Sequence, residues 1–175
     1  MIWTVGIDPD TNATGLAVLL DGKVKRVASV KADRKKPVKD RLIEIAEGMP
    51  KFLPWMVGEN LSGVHVAVEW QAIRPTDRRP NDILSLAVVI GSALVCCRDA
   101  ESVHCPLPVQ WKGSVNKKLH HKMILAEQGI SDLSKLGISR ADSSHVIDAI
   151  GLASWLYGKL KQKAAVADFL EDHGL

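Results

Sequence analysis

The sequence predicts an α/β domain in which a five-stranded mixed sheet, three antiparallel strands and then parallel ones, is covered by helices on both faces. Three observations predict this fold. The chain opens with three short apolar runs joined by tight turns, and it then alternates helical with strand-like segments. Its 175 residues, 46% of them hydrophobic, suit one core. We therefore expect residues 1–175 to form a single domain.

The first three strands are predicted at residues 2–8, 14–20 and 23–30. Each run is apolar, and Asp21-Gly22 lies between the last two. An Asp-Gly pair between apolar runs is typical of a two-residue hairpin, because such turns need residues that tolerate a positive φ. The chain is therefore expected to begin as an antiparallel meander.

The middle of the chain predicts a helix, a strand and a loop. Apolar side chains recur at helical spacing from Val38, and this helix is expected to end near Pro54. A fourth strand is predicted at residues 64–69. Residues 70–81 carry three arginines and little apolar content, which indicates an exposed loop.

The next helix is apolar on nearly every side and is expected to run to about Cys97, with Asn81 or Asp82 as its cap. Such a helix is either fully buried or has one side on a partner. A fifth strand is predicted at residues 102–105.

The last third of the chain is predicted to be helical. After the break at residues 106–108, a basic stretch at residues 111–122 leads into a helix. The last strong helix is expected to start at Ser143 or Ser144 and to run to about Leu160, followed by a weaker helical tail.

Two acids follow strands that the pattern predicts to be buried. Asp8 comes directly after the apolar residues 5–7, and Glu69 closes the run 64–68. Acids at the ends of two such strands can meet at one edge of the sheet. Like charges held that close repel each other unless a cation neutralises them, and hard oxygen ligands suit Mg²⁺ or Mn²⁺.

A third acid and an imidazole come from the last helix. His145 and Asp148 are three residues apart, so they share one helical face, and the apolar neighbours indicate that this face points into the protein. With Asp8 and Glu69 they provide enough ligands for two metal ions that share a carboxylate. Asp142 is better placed to cap the helix than to join this set.

Each of these residues also has an ordinary structural interpretation. Asp8 can cap a turn, Glu69 can pair with Arg74 on the surface, His145 can be a core histidine, and Asp148 can bond to nearby backbone. The four residues together, in this order, are more specific than any one of them.

The motifs resemble those of RuvC-type Holliday junction resolvases. The resemblance lies in Gly6-Ile7-Asp8-Pro9-Asp10 followed by Thr14-Gly15-Leu16-Ala17, in Ala67-Val68-Glu69, in the helix bearing Gly91, and in His145-x-x-Asp148-Ala149. It extends through most of the chain. Asp10 departs from the family pattern, which has Gly at that position, where Gly eases a tight turn.

The resemblance implies a ribonuclease H-like fold, two Mg²⁺ or Mn²⁺ ions per active site, and hydrolysis of four-way DNA junctions by a homodimer. Asp8, Glu69 and Asp148 fall on the acidic metal ligands of the family, and His145 falls on the remaining ligand position. Neutral imidazole is an acceptable ligand for Mn²⁺. The same four residues are thus the expected catalytic residues, with Asp8 bridging both ions.

Basic residues are expected to bind the DNA backbone, since phosphate contacts need only a positive patch. The expected DNA-binding residues are Arg74, Arg78, Arg79, Lys112, Lys117, Lys118 and Lys122. His120 and His121 add to the basic stretch, which could also be a solvated helix face. Lys117 or Lys118 could stabilise the charge that builds on the phosphate during cleavage.

The partners and the location follow from the same reasoning. The apolar helix ending near Cys97 is expected to form the homodimer, because two-fold symmetry suits paired cuts in a four-way junction. The chain has no apolar run of about 18 residues and no signal-peptide pattern, so a cytoplasmic protein without membrane contact is expected.

Three alternatives remain at this level. A ribonuclease H-like nuclease could act on RNA·DNA hybrids with the same ligands, and a branched-DNA-binding protein could keep the fold without catalysis. A nucleotide binder of the sugar-kinase or actin class would also begin with a strand and Gly-Ile-Asp, but it needs two related halves, for which this chain is too short.

Overall fold

The computed structural model describes residues 1–57, 61–70 and 80–172. Within these ranges, five strands, five α-helices and one 3-10 helix follow one another. They are β1 (Trp3–Asp8), β2 (Ala13–Leu20), β3 (Lys23–Lys31), α1 (Val38–Val57), β4 (Val64–Val68), α2 (Pro80–Cys96), β5 (Ser102–His104), α3 (Pro108–Lys112), α4 (Lys117–Gln128), a 3-10 helix (Leu133–Leu136) and α5 (Ser143–Asp172).

The strands form one mixed sheet in the order β3-β2-β1-β4-β5. β1 is antiparallel to β2 and β2 to β3, whereas β4 is parallel to both β1 and β5. The β2–β3 hairpin turns at Asp21 and Gly22, whose φ angles are 49° and 76°. Both the predicted meander and the predicted five-stranded mixed sheet are therefore confirmed.

Two hydrophobic clusters cover the two faces of the sheet. On one face, α1 and α2 pack against alternate residues of the strands, such as Val5 and Ile7. On the other face, α3, α4, α5 and the 3-10 helix pack against strand residues that include Ala17 and Ala67. The prediction of helices on both faces is confirmed, because successive strand residues point to opposite sides.

Helix α5 lies unusually close to the middle of the sheet. A side chain at Gly6 of β1 would overlap the backbone of Ala149, and one at Gly15 of β2 would overlap the backbone of His145. These two glycines therefore let the first turns of α5 rest directly on β1 and β2.

The lengths of two helices differ from the prediction. α1 does not end near Pro54 but continues to Val57, and α5 is one continuous helix to Asp172. Proline removes one intrahelical hydrogen bond, and the burial of Met49 and Leu53 against the sheet offsets that loss. The tail of α5 is exposed, and its Ala and Lys residues favour helix through their intrinsic propensity.

The middle of the chain differs only at element boundaries. α2 begins at Pro80, so Asn81 and Asp82 lie in its first turn rather than at its cap, and proline is well suited to a first turn. β5 ends at His104, one residue earlier than predicted. The predicted loop at 70–81 lies mostly outside the described residues. Within the described ranges, no helix is both long and apolar enough to cross a bilayer.

Candidate active site

Three buried acids meet at one edge of the sheet. Asp8 ends β1, Glu69 follows β4, and Asp148 lies in the second turn of α5, with only 5%, 3% and 2% of their surfaces exposed. The parallel register of β1 and β4 pairs Ile7 with Val68, which sets the first two acids side by side. The structure thus brings together the three acids that the sequence singled out.

His145 joins this cluster from the first turn of α5. Its Nδ1 lies 2.8 Å from Oδ2 of Asp8. The contact depends on the close approach of α5 to Gly15, because that approach lowers the start of the helix onto the sheet. All four predicted metal ligands are therefore neighbours across β1, β4 and α5.

Helix α4 supplies two basic groups to Asp148. Lys117 Nζ lies 2.9 Å from Oδ2 of Asp148, and His121 Nε2 lies 3.0 Å from Oδ1. Residues four apart share one face of a helix, so the two side chains reach the same carboxylate. Asn116 caps α4 by accepting a hydrogen bond from the backbone N–H of Lys118, which fixes where this face begins.

Helix α3 supplies two donors to Glu69. Lys112 Nζ lies 3.0 Å from Oε1 of Glu69, and the indole Nε1–H of Trp111 donates to the same oxygen at 3.2 Å. The ammonium group of Lys112 also lies 4.6 Å from the centre of the Trp111 ring, where a cation–π contact is favourable. Each buried acid thus has at least one basic neighbour.

The electrostatic balance is least favourable at Asp8. Burial raises the pKa of this carboxyl group to about 8, and the hydrogen bond with His145 only partly opposes the increase. The neighbouring Glu69 and Asp148 raise the pKa further, because like charges disfavour ionisation. The same hydrogen bond raises the pKa of His145, against the effect of burial. The hydrogen bond from His145 is therefore not enough to offset the burial of Asp8 and the charge of its acidic neighbours.

Asp148 has the opposite balance. Burial alone would raise its pKa, but the hydrogen bonds of His121 and Lys117, together with the charge of Lys112, lower it to about 2. The pKa of Lys117 is raised, because its contact with Asp148 outweighs burial. Two acids of one site with pKa values pushed in opposite directions are typical of functional sites.

The donor set fits divalent metal ions in its chemistry. Among the described residues, no three His, Cys, Asp or Glu side chains are already arranged as a metal site, and lysine and histidine nitrogens contact the carboxylates. However, three buried carboxylates and an imidazole are the ligands that Mg²⁺ and Mn²⁺ accept. A bound cation would offset the burial and the like charges that raise the pKa of Asp8. Asp8, Glu69, Asp148 and His145 could hold such ions.

The other predicted residues fall in different places. Lys112 and Lys117 contact the acids directly, whereas Lys118 and Lys122 are exposed on α4. Arg74, Arg78 and Arg79 lie outside the described residues. Asp142 lies outside the acid cluster, and its carboxylate pairs with Lys31 and accepts a hydrogen bond from Ser139.

Sequence reasoning missed two contacts of the site. His121 was considered only as part of a basic stretch, and Trp111 was not considered as a site residue. The available signal for His121 was its position one helical turn after Lys117. The signal for Trp111 was its position beside Lys112. Neither spacing says which acid is contacted, because that depends on how α3 and α4 dock.

The departure at Asp10 has a structural explanation. No non-glycine residue other than Asp21 has a positive φ among the described residues, so position 10 does not need glycine. Instead, Oδ1 of Asp10 accepts the backbone N–H of Asn12 at 2.7 Å and that of Ala13 at 3.3 Å. The side chain thereby stabilises the turn between β1 and β2.

The fold is similar to those of known resolvases. Thermus thermophilus RuvC in complex with a Holliday junction substrate has a TM-score of 0.68 and 22% identity, covering 91% of this chain and 96% of that chain. Another Thermus thermophilus RuvC structure has a TM-score of 0.66 and 23% identity, covering 91% and 97%. The yeast mitochondrial Holliday junction resolvase has a TM-score of 0.60 and 15% identity, covering 97% and 83%.

No protein-family profile and no curated protein matches the sequence. The assignment of the fold therefore rests on three-dimensional similarity, and the topology agrees with it: antiparallel strands are followed by parallel ones, with helices on both faces. This chain has the fold of Thermus thermophilus RuvC and of the yeast mitochondrial Holliday junction resolvase.

Proposed function

We propose that this protein is a metal-dependent endonuclease that resolves four-way and other branched DNA in the cytoplasm by hydrolysing phosphodiester bonds. The observation that carries the proposal is the cluster of three buried acids and His145 at one end of the sheet. Such a cluster weakens the fold unless cations occupy it, because buried like charges repel each other. Its presence therefore favours a function over a purely structural role.

Asp8, Glu69, Asp148 and His145 would hold the metal ions. When bound there, divalent ions would lower the pKa of an attacking water and offset the charge of the phosphate group. Asp8 is the acid whose pKa both Glu69 and Asp148 raise. This supports a central role for Asp8 among the residues that would hold the ions.

The lysines of the site are suited to hold the substrate. The side chain of Lys117 is 57% exposed although its Nζ contacts the buried Asp148, so it can reach a phosphate group that approaches from solvent. Lys112 is less exposed, and its ammonium group lies over the ring of Trp111. His121 keeps Asp148 oriented through its Oδ1 atom. Positive groups already in place can stabilise charge that develops on a phosphate during cleavage.

The structural relatives support the substrate class. One of them was solved with a Holliday junction substrate, and another is a Holliday junction resolvase of yeast mitochondria. At 15–23% identity these relatives share the fold with this chain. The choice of substrate is therefore part of the proposal. A nuclease acting on RNA·DNA hybrids and a binding protein without catalysis remain the alternatives, since one fold can carry several functions.

The test is cleavage of an end-labelled four-way DNA junction in Mg²⁺ or Mn²⁺, beside linear duplex, flap and RNA·DNA hybrid substrates. We expect paired, symmetric nicks in the junction, no cutting in EDTA, and little cutting of linear duplex. Cutting of the hybrid alone would identify the ribonuclease H alternative. Binding of the junction without cutting in either metal would indicate a binding protein.

We further propose that α2 forms the interface of a homodimer. Leu84, Val88 and Val95 are 66%, 51% and 67% exposed and lie on one face of this helix, beside Gly91. An apolar stripe of this kind is costly to leave in water and is typical of an interface.

Replacing Leu84 and Val88 together with Glu is expected to convert the dimer to a monomer, because two buried charges would face their symmetry mates. Light scattering after size-exclusion chromatography would measure the mass. Val166→Glu is the matched control, since Val166 is also exposed but lies on the tail of α5. A wild-type protein that is already monomeric at micromolar concentration would exclude this interface.

A further inference from the structure

A basic segment connects β3 to α1. Residues 31–41 contain six basic side chains and two acidic ones, an excess larger than the net charge of +3 of the whole chain. The six are Lys31, Arg34, Lys35, Lys36, Lys39 and Arg41. We call residues 31–41 the β3–α1 basic segment. It is separate from α3 and α4, which supply the lysines of the acid cluster.

The sheet register places this segment at the active-site end of the sheet. Asp8 of β1 pairs with Gly15 of β2, and Gly15 pairs with Ser29 of β3, just before the segment. Two strand spacings amount to about 10 Å. The backbone N–H of Ala32 also bonds to the carbonyl of Asn12 at 3.0 Å, next to the turn that follows Asp8. The segment therefore flanks the acids on the β3 side.

Lys112 of α3 lies on the other flank. Lys112 contacts Glu69, which follows β4, and β4 lies on the side of β1 opposite to β2 and β3. Positive charge is therefore present on both sides of Asp8 along the same edge of the sheet. A single phosphate-binding patch beside Glu69 does not account for this second concentration of charge.

The six basic residues divide into two groups by their contacts. Three of them hold the segment in place. Lys31 pairs with Asp142 at 2.5 Å, Lys36 pairs with Glu44, and Arg41 donates to Asn12. The other three, Arg34, Lys35 and Lys39, are exposed, and their side chains form no ion pair within the described ranges.

We propose that Arg34, Lys35 and Lys39 bind the phosphate backbone of a DNA strand on the β3 side of the active site. A strand crossing the acids would then be held from both flanks, by α3 and α4 on one side and by this segment on the other. Exposed cations of this kind contact phosphates without reading bases, so the contact sets position rather than sequence preference. This inference rests on the proposed action on DNA.

The test is the salt dependence of DNA binding. Removing one lysine or arginine that binds a phosphate lowers the slope of log affinity against log salt concentration by about 0.9 for duplex DNA. The triple variant Arg34→Gln, Lys35→Gln and Lys39→Gln is expected to lower the slope by about two to three and to weaken binding roughly tenfold or more at moderate salt. Fluorescence anisotropy with a labelled four-way junction and with linear duplex, between about 50 and 200 mM salt, would measure both.

The matched control is Lys25→Gln, Lys51→Gln and Lys159→Gln, which removes the same charge from exposed positions away from this edge of the sheet. Its slope is expected to change by less than the effect of about one phosphate-binding residue. Circular dichroism would verify that both triple variants are folded. The comparison therefore separates local binding of a phosphate from a general decrease in positive charge.

The outcomes distinguish this inference from the proposed function. Equal slopes for the Arg34, Lys35, Lys39 variant and the wild type would overturn the inference, while junction cutting by the wild type would leave the proposed function standing. A lowered slope in a protein that binds but never cuts would support the inference and reject the nuclease. A wild type that binds no DNA would overturn both.

Discussion

Replacing Asp8 with Asn is expected to abolish junction cutting while junction binding remains, and to raise the melting temperature of the metal-free protein near pH 8. Asn keeps the shape of the side chain but removes the charge, so the expected loss is several kcal/mol of transition-state stabilisation, or about 10³-fold or more in rate. Stability should increase, because the carboxylate of Asp8 is buried beside two other acids.

The pH dependence of stability follows from the same shift. The folded-state pKa of Asp8, about 8, lies above its ordinary value of 3.8, so the folded protein binds this proton more tightly than the unfolded chain does. Its stabilising contribution is therefore complete below about pH 4 and is lost as the pH rises to 8. Asp8 and His145 share a hydrogen bond and titrate together, so the loss of stability with rising pH belongs to the pair. Asp8→Asn should remove this effect.

Thermal melts in EDTA between pH 5 and 9, together with junction cleavage in Mg²⁺ and Mn²⁺, would test this prediction. Asp142→Asn is the matched control, because Asp142 is also a buried acid but lies outside the cluster and pairs with Lys31. It should keep cutting and should lose stability, since its pKa is lowered in the fold. An Asp8→Asn protein that cuts at the wild-type rate would reject the assigned site.

Replacing Gly6 with Ala is expected to destabilise the protein by about 3 kcal/mol and to impair cutting. The added methyl group would overlap the backbone of Ala149. The backbone of a packed helix cannot change its conformation to relieve the overlap as a flexible side chain can. Either α5 lifts from β1 or the sheet distorts. In both cases His145 and Asp148 move relative to Asp8, so activity and stability should fall together.

Urea or thermal unfolding would measure the decrease in stability. Gly158→Ala is the matched control in α5, the helix that packs on Gly6, since a side chain at position 158 would meet no atom within 4 Å. Alanine is the better helix former, so this change should stabilise the protein by about 0.5–1 kcal/mol. Equal stability of Gly6→Ala and the wild type would show that α5 does not rest on β1 as described.

Much of the fold could be predicted from local patterns. The hairpin at Asp21-Gly22, the alternation of helix and strand, and the position of Asp8 after an apolar run are all properties of neighbouring residues. The convergence of Asp8 and Glu69 followed from one rule, that acids ending adjacent parallel strands meet at one edge. The spacing of His145 and Asp148 likewise follows from helix geometry.

The remaining features depend on tertiary contacts. Spacing within α4 does not reveal that His121 reaches Asp148, since this depends on the docking of α4 against α5. The continuation of α1 through Pro54 depends on burial of the inner face of the helix, which offsets the tendency of proline to end a helix. The excess of basic residues at 31–41 is visible in the sequence, but only the strand register places it near Asp8.

The two ends of α5 differ in how much packing must be broken before each end can unfold locally. Residues 146–153 are buried against the sheet, whereas residues 161–170 are all exposed. Fraying that begins at the exposed end disrupts little packing. It would stop at the buried turns, before it reached Asp148. His145 and Asp148 thus lie at the end of the helix that is packed on the sheet. This end can unfold only if its packing against the sheet is broken. Local fluctuations of the tail leave the spacing of the acids unchanged.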